Sequence, residues 1–194
     1  MLLRKPKLRI ETERLTLRLP VHSDYRDWLA LRAESRDFLV PWEPTWLPEH
    51  LTRKAFANRV YWAGRASAGG TALPLFLIRR VDEAFIGAIT LDNIRRGPAQ
   101  GGTLGYWVGE KFARQGYMRE AILAVVHHAF TALELSRVEA ACLPENLASR
   151  GCLEKCSFKY EGVAQSYLQI NGRWRNHVLY ATLRGDRRGR TVSG

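Results

Sequence analysis

The hydrophobic pattern of the first 70 residues predicts one strand, two helices and an intervening loop. A half-buried strand is predicted over 8–19, because Leu15, Leu17 and Leu19 alternate there with polar residues. Ser23 has the character of an N-cap, and amphipathic spacing after it predicts a helix that reaches Arg32. Three prolines in Phe38–Pro48 exclude a regular helix, so this segment is predicted as an aromatic-rich loop. A second helix is predicted over 49–66.

The rest of the chain reads as strands interleaved with helices. Apolar runs predict strands over 72–80, 84–92, 101–108 and 137–143, and helical spacing predicts helices over 117–133 and 146–155. Two last strands, 158–170 and 173–183, are joined by Asn171-Gly172, a dipeptide typical of tight hairpin turns. This order of elements indicates a single α/β (α+β) domain, a sheet with helices packed on it.

Length and composition agree with one globular domain. The chain has 194 residues, 46% of them hydrophobic and 25% charged, which is ordinary for a globular protein. We expect the domain to cover 1–184 and a basic, flexible tail to cover 185–194. Apolar runs are too short to span a bilayer, and the basic start lacks the apolar segment of a signal peptide. We therefore expect a cytoplasmic protein without a membrane partner.

Charge and cysteine content narrow the class of partner. Thirty Lys and Arg residues against nineteen Asp and Glu give a net charge of +11. Such a surface favours anionic partners, which include nucleotide cofactors, RNA and the ribosome.

Three cysteines without metal-type spacing predict neither a disulfide framework nor a zinc site, so we expect no metal.

The segment 106–120 carries the clearest candidate chemistry. An apolar strand stops at Gly109, a polar loop follows, and a long helix begins near Gly116. A glycine there lets the backbone approach a ligand closely. The first turn of a helix offers unpaired N–H groups at the positive end of the helix dipole. The pattern therefore suggests a pyrophosphate site, although a plain strand–loop–helix connection has the same appearance.

Several segments resemble the GNAT acetyltransferase superfamily. The loop is similar to its acetyl-CoA-binding motif, Q/R-x-x-G-x-G/A, with Gly116 at the fixed glycine and Ala113 and Met118 at the outer positions. Four further segments resemble one branch of this superfamily, the ribosomal-protein-alanine N-acetyltransferases with their RimJ- and RimL-like members. These are Thr12–Arg18, Asn146–Ser149, Leu153–Gly162 and Tyr167–Leu179.

The resemblance implies a fold and an activity. The fold would have a mixed, mostly antiparallel central sheet of about seven strands, flanked by helices, with two parallel central strands that splay apart. The activity would be transfer of an acetyl group from acetyl-CoA to a primary amine, with the N-terminal α-amine of a ribosomal protein as the first candidate. Two alternative functions remain: acetylation of a small-molecule amine, and a role as a basic ribosome- or RNA-binding assembly factor with a vestigial acetyl-CoA site.

Individual roles follow from the same resemblance. Ser149 would protonate the leaving thiolate, unless it only caps a helix, and Glu110 would act as base, unless it is a solvated loop carboxylate. The backbone N–H of Val108 would stabilise the oxyanion. The cofactor-binding residues would be Trp107, Val108, Arg114, Gln115, Gly116, Tyr117, Met118, Arg119 and Asn146, the last of which could also cap a helix. Candidates for acceptor binding are Trp42, Tyr167, Trp174 and His177, for each of which a packing or structural role is the alternative.

Overall fold

A computed structural model describes residues 8–185, and a sheet of eight strands runs through this part of the chain. The strands are β1 (Arg9–Glu11), β2 (Leu15–Arg18), β3 (Leu73–Arg79), β4 (Phe85–Arg95), β5 (Gly101–Val108), β6 (Arg137–Cys142), β7 (Lys159–Ile170) and β8 (Arg173–Leu183). Their order across the sheet is β1-β2-β3-β4-β5-β6-β8-β7. All neighbours are antiparallel except β5 and β6, which are parallel. The mixed, mostly antiparallel sheet is thus confirmed.

The eighth strand arises because the first predicted strand is really a hairpin. The chain reverses after β1, where the N–H of Thr12 donates to the carbonyl of Leu15 at 2.9 Å. The Thr12 hydroxyl oxygen in turn accepts from the N–H of Leu15 at 3.0 Å. The turn contains neither glycine nor proline, so no residue typical of a turn marks it, although the apolar positions change phase between Ile10 and Leu15. The sequence-based prediction of one strand over 8–19 is therefore wrong.

Five α-helices complete the described part of the chain. They are α1 (Tyr25–Glu34), α2 (Arg36–Leu39), α3 (Arg53–Ala68), α4 (Tyr117–Thr131) and α5 (Leu147–Lys155). Within residues 8–185, no helix combines the length and the apolar character that a bilayer crossing requires. The tail expected over 185–194 lies, from residue 186 onward, outside the described residues.

Two local predictions before α3 are corrected by the structure. Ser23 lies within a 3-10 turn, and the residue that caps α1 is Asp24. The proline-rich segment is not wholly irregular, because α2 and a 3-10 turn over Val40–Trp42 enter it. Pro41 is tolerated there because the first turn of a helix leaves its N–H groups unpaired in any case.

The two faces of the sheet carry different helices. Successive residues of a strand point to opposite faces, and β5 shows this at its end. Trp107 belongs to an aromatic cluster that joins β5 to α1 and α3. The other members of the cluster are Trp28 of α1, Phe56 of α3, Phe76 and Phe85. Tyr106, its neighbour, reaches α5 on the other face. α4 packs beside α5, and its residues Ala121, Ile122 and Val125 are fully buried.

A gap opens between the parallel strands. The pairing of β5 with β6 ends at Leu104 opposite Ala140, although β5 continues to Val108 and β6 to Cys142. β5 stays with β4 to its end, where a Cβ on Gly87 would lie 2.4 Å from the Trp107 carbonyl oxygen. β6 follows β8 instead. The predicted splay of the central strands is therefore present.

Candidate active site

The end of β5 offers unpaired backbone groups to the gap. The N–H of Gly109 donates to the carbonyl of Ile86 on β4 at 2.9 Å. Residues along an antiparallel strand alternate between bonding to the neighbour and facing away. The backbone of Trp107 therefore faces β4, whereas the N–H and C=O groups of Tyr106 and Val108 face the gap. Of the two residues predicted to contact the cofactor through their backbone, Val108 faces the gap and Trp107 does not.

The loop before α4 forms a row of free amides. Gly116 caps the helix with φ +83°, and Arg114 has φ +60°. The first helical hydrogen bond runs from the N–H of Glu120 to the carbonyl of Gly116 at 3.1 Å. Within residues 8–185, no acceptor is found for the backbone N–H groups of Arg114 to Arg119. Alternating left-handed residues and a helix N-terminus are features of anion-binding backbone.

The residues of this loop differ in their exposure to solvent. The side chains of Tyr117 and Met118 are buried, so these two predicted residues can contribute only their backbone. Gln115 turns its amide nitrogen to the carbonyl of Lys111 at 2.7 Å and so closes the loop. Arg114 and Arg119 are exposed. The loop is therefore exposed to solvent on both sides of the buried pair Tyr117 and Met118.

Arg14, which the sequence analysis did not identify as a site residue, holds the loop in place through its side chain. Its guanidinium donates to the carbonyl of Gln115 at 3.0 Å and to the carboxylate of Glu120 at 2.7 Å, and it lies 4.5 Å from the ring centre of Tyr117. Burial alone would raise the pKa of Glu120, but hydrogen bonds from Thr12 and Arg14 outweigh it and lower that pKa. The signal was present in the Thr12–Arg18 segment, which contains Arg14.

Ser149 and Tyr106 form a hydroxyl pair beside the gap. The Ser149 Oγ and the Tyr106 hydroxyl oxygen are 2.8 Å apart. Asn146 caps α5, because its side-chain oxygen accepts from the N–H of Ser149 at 3.1 Å. Burial raises the pKa of Tyr106 above its ordinary value, so this phenol stays protonated and can donate a hydrogen bond. Tyr106 was also missed, although strand alternation from Trp107 would have pointed it at α5.

Glu110 lies where the sequence predicted, immediately after β5. Its N–H donates to the Ser35 hydroxyl at 3.0 Å, and its side chain is exposed. No partner for its carboxylate is found within the described range. The structure thus leaves both interpretations of Glu110 available, a base at the entrance and a solvated carboxylate.

The hairpin of β7 and β8 carries three of the four predicted acceptor residues and brings two of them, Tyr167 and His177, into contact. A bulge at 165–167 opposite Asn176 turns Tyr167 onto His177, with ring centres 5.6 Å apart. His177 is buried, and its Nδ1 lies 3.0 Å from the carbonyl oxygen of Arg175. Because a carbonyl only accepts, Nδ1 carries the hydrogen. Trp174, 63% exposed, lines a surface cavity with residues that include the ion pair of Arg175 and Glu145.

Trp42, the fourth candidate, lies on the 3-10 turn and is partly exposed. The contact with the hairpin comes from the next residue, because the N–H of Asn171 donates to the carbonyl of Glu43 at 2.9 Å. Among residues 8–185, no group of three or more metal-binding side chains is found.

Similarity to known proteins decides the family. Residues 14–159 match the acetyltransferase (GNAT) domain. The chain belongs to the GNAT acetyltransferase family. It is 33% identical to the [ribosomal protein uS5]-alanine N-acetyltransferase of Escherichia coli (strain K12) over 181 residues, 93% of each protein. As an enzyme it is therefore an N-acetyltransferase, and GNAT acetyltransferases use acetyl-CoA.

Solved structures of GNAT enzymes support the same assignment. The ribosomal-protein-S5-alanine acetyltransferase of Vibrio fischeri superimposes with a TM-score of 0.86 at 28% identity, covering 94% of this chain and all of the other. Mycobacterium smegmatis RimJ in complex with CoA-disulfide superimposes with a TM-score of 0.87 at 27% identity, covering 93% of this chain and 90% of the other.

Proposed function

We propose that this enzyme transfers the acetyl group of acetyl-CoA to the N-terminal α-amine of a ribosomal protein. The observation that carries the proposal is the row of free amides from Arg114 to Arg119 at the N-terminus of α4. It lies at the end of the strand that borders the gap, as a ligand with a diphosphate and an extended amide-containing arm requires. The gap and the amide row together match the two halves of coenzyme A.

The binding roles follow from which groups are free. The amides of Arg114 to Arg119 would hold the diphosphate, and Arg14 keeps the loop in its binding conformation. Val108 and Tyr106 would pair through their backbones with the pantetheine, as an added strand would. The amide nitrogen of Asn146 has no hydrogen-bond partner among the described residues, so it can donate to the same arm while its oxygen caps α5.

The proposed reaction requires an oxyanion donor, an acid and a neutral amine. The N–H of Val108 faces the gap and would stabilise the oxyanion that forms when the amine attacks the acetyl carbonyl. As the carbon–sulfur bond breaks, Ser149 would donate its hydroxyl proton to the departing thiolate, while the Tyr106 phenol donates a hydrogen bond to the Ser149 oxygen. An α-amine has a pKa near ~8, so a base must remove its proton. Glu110, directly or through water, is the proposed base.

The acceptor would enter beside the hairpin. Tyr167, Trp174, His177 and Trp42 would form an aromatic lining suited to the first residues of a peptide. A ribosomal acceptor is supported by the E. coli relative, which by its name acts on the alanine of ribosomal protein uS5. The net charge of +11 would favour approach to the anionic ribosome and contact with RNA. This acceptor implies a reaction in the cytoplasm.

The proposal can be tested with matched acceptors. Purified enzyme is supplied with acetyl-CoA and with peptides that copy ribosomal-protein N-termini, each with a free or a blocked α-amine and an internal lysine. We expect acetylation of the free α-amine alone. Transfer to small amines but to no peptide would contradict the proposed acceptor. Ribosome binding without any acetyl transfer would favour an assembly factor.

Variants separate chemistry from binding in the same assay. Ser149→Ala should lower kcat by about 100-fold, within the usual range for loss of a catalytic acid, with little change in acetyl-CoA affinity. Ser23→Ala is the control, because Ser23 is an exposed serine of a 3-10 turn. An equal rate in both variants would remove Ser149 from the chemistry.

A further inference from the structure

Glu43 forms an ion pair that the proposed reaction does not use. Its carboxylate accepts from both terminal nitrogens of Arg32, at 2.7 and 2.6 Å. The indole N–H of Trp46 donates to the same carboxylate at 2.8 Å. The side chains of Arg32 and Glu43 are only 5% and 19% exposed. The pair is therefore largely removed from water and fixed in orientation.

Arg32 extends this connection to the central strand. Its guanidinium carbon lies 4.2 Å from the ring centre of Trp46 and 4.7 Å from that of Trp107 in β5. His50 Nε2 lies 3.1 Å from an Arg32 nitrogen. Burial and the Arg32 charge lower the pKa of His50, so its neutral imidazole accepts this hydrogen bond. Arg32 thus joins α1, the segment 43–50 and β5.

The backbone of Glu43 makes the third connection. Its carbonyl accepts from the N–H of Asn171 at the tip of the β7–β8 hairpin. Asn171 and Gly172 both have positive φ, and a Cβ on Gly172 would lie 3.6 Å from the Thr45 hydroxyl. Glu43 therefore links the hairpin, which carries Tyr167 and Trp174, to the strand that borders the gap.

A purely stabilising role explains this arrangement poorly. Two charges taken out of water lose hydration, and apolar residues of similar volume are often as stable as a buried ion pair. The Arg32 Nε is also buried without a hydrogen-bond partner among the described residues. What the pair supplies that apolar packing does not is a fixed geometry among three elements.

We propose that Glu43 is a positioning residue that, through Arg32 and Trp46, holds the acceptor-binding hairpin in register with the end of β5. The inference rests on the proposed function, since it concerns the acceptor side of that site. It extends that function by naming the group that sets the distance between the aromatic hairpin and the acetyl carbonyl. Displacing such a wall by an ångström is enough to lower catalysis strongly.

The test compares Glu43→Gln with a matched control, Asp24→Asn. Asp24 also accepts both terminal nitrogens of an arginine, Arg18, at 2.8 and 2.7 Å, and one N–H, that of Val21. It lies at the start of α1, away from the hairpin. We expect Glu43→Gln to raise the KM for the acceptor peptide about tenfold, with the KM for acetyl-CoA within about twofold. Asp24→Asn should reduce stability without changing either KM.

A second variant separates stability from position. Replacement of the pair by apolar residues, Arg32→Met with Glu43→Leu, should recover stability relative to Glu43→Gln. It should not recover the acceptor KM, because Trp46 loses its acceptor and the guanidinium no longer stacks on Trp107. Full recovery of the acceptor KM in this double variant would overturn the proposal. An equal rise of both KM values in Glu43→Gln would also overturn it.

Hydrogen exchange gives a readout that does not depend on activity. Glu43→Gln should accelerate amide exchange in 43–50 and at the hairpin tip, 170–173, and Asp24→Asn should not. If the unaltered enzyme acetylates no amine, the proposed function fails, and this exchange pattern still decides whether Glu43 holds the hairpin. Unchanged exchange in Glu43→Gln would refute the positioning role, even in an active enzyme.

Discussion

Gly116→Ala tests the amide loop with the smallest possible change. Gly116 has φ +83°, and a Cβ there would lie 3.3 Å from an Arg14 guanidinium nitrogen. A left-handed conformation costs an L-residue about 1–2 kcal/mol. The variant is therefore expected to relax in the free protein, which turns the following amides away from a common target.

The expected loss of affinity combines two effects. Restoring the left-handed conformation on binding costs the same ~1–2 kcal/mol, close to tenfold in Kd at about 1.4 kcal/mol per tenfold. If one amide hydrogen bond to a charged phosphate is also lost, about 1.5–3 kcal/mol is added. Incomplete relaxation offsets part of this sum. We predict that acetyl-CoA binds about 10- to 100-fold more weakly to Gly116→Ala.

Calorimetric titration with two ligands makes the assay specific. Acetyl-CoA carries the diphosphate, and S-acetylpantetheine lacks it, so only the former should lose affinity. Gly64→Ala is the matched control, because Gly64 lies inside α3 with nothing within 4 Å of the added Cβ. Alanine is the better helix former, so this control should bind normally and be slightly more stable. A folded Gly116→Ala that binds acetyl-CoA as tightly as the unaltered enzyme would refute the reasoning.

Three further predictions concern the hydroxyl pair, the loop support and the cap of α5. Tyr106→Phe should lower kcat about tenfold, because Ser149 loses a donor that orients its hydroxyl group, and the Kd of acetyl-CoA should not change. An unchanged kcat in steady-state assays would exclude the hydroxyl pair from the reaction. Glu120 has a pKa lowered from 4.5, so its stabilisation is complete above pH 4.5 and is lost as the pH falls through the lowered pKa. Glu120→Gln should therefore flatten the acid limb of a stability–pH profile, and a curve parallel to that of the unaltered enzyme would contradict this. Asn146→Ala should cost about 1 kcal/mol in denaturant unfolding, because it caps α5; no loss would show that the cap does not contribute.

The elements that local sequence signals define were predicted well. The strand predicted over 173–183 coincides with β8, and the helix predicted over 146–155 differs from α5 by one residue. Asn171-Gly172 forms the predicted turn, with positive φ at both residues. In these segments, turn chemistry and hydrophobic period agree, so neither depends on distant contacts.

The predictions that failed concern features whose structure depends on contacts between residues far apart in the sequence. The turn at Thr12 is held by a threonine hydroxyl and by contacts with Glu120, 108 residues away. Tyr106, Arg14 and Glu43 make their hydrogen bonds to residues of other elements, which no spacing rule brings together. The loop proposed to bind the diphosphate was recognisable because a helix N-terminus and a glycine are adjacent in the chain. The residues proposed to bind the acceptor come from separate segments.

The most direct measurement is an NMR titration of the backbone amides with acetyl-CoA. If the loop binds the diphosphate, the amide resonances of Arg114 to Arg119 should shift most, and S-acetylpantetheine should leave them nearly unchanged. Saturable binding of acetyl-CoA that leaves these amides in place, with shifts concentrated elsewhere, would contradict the account.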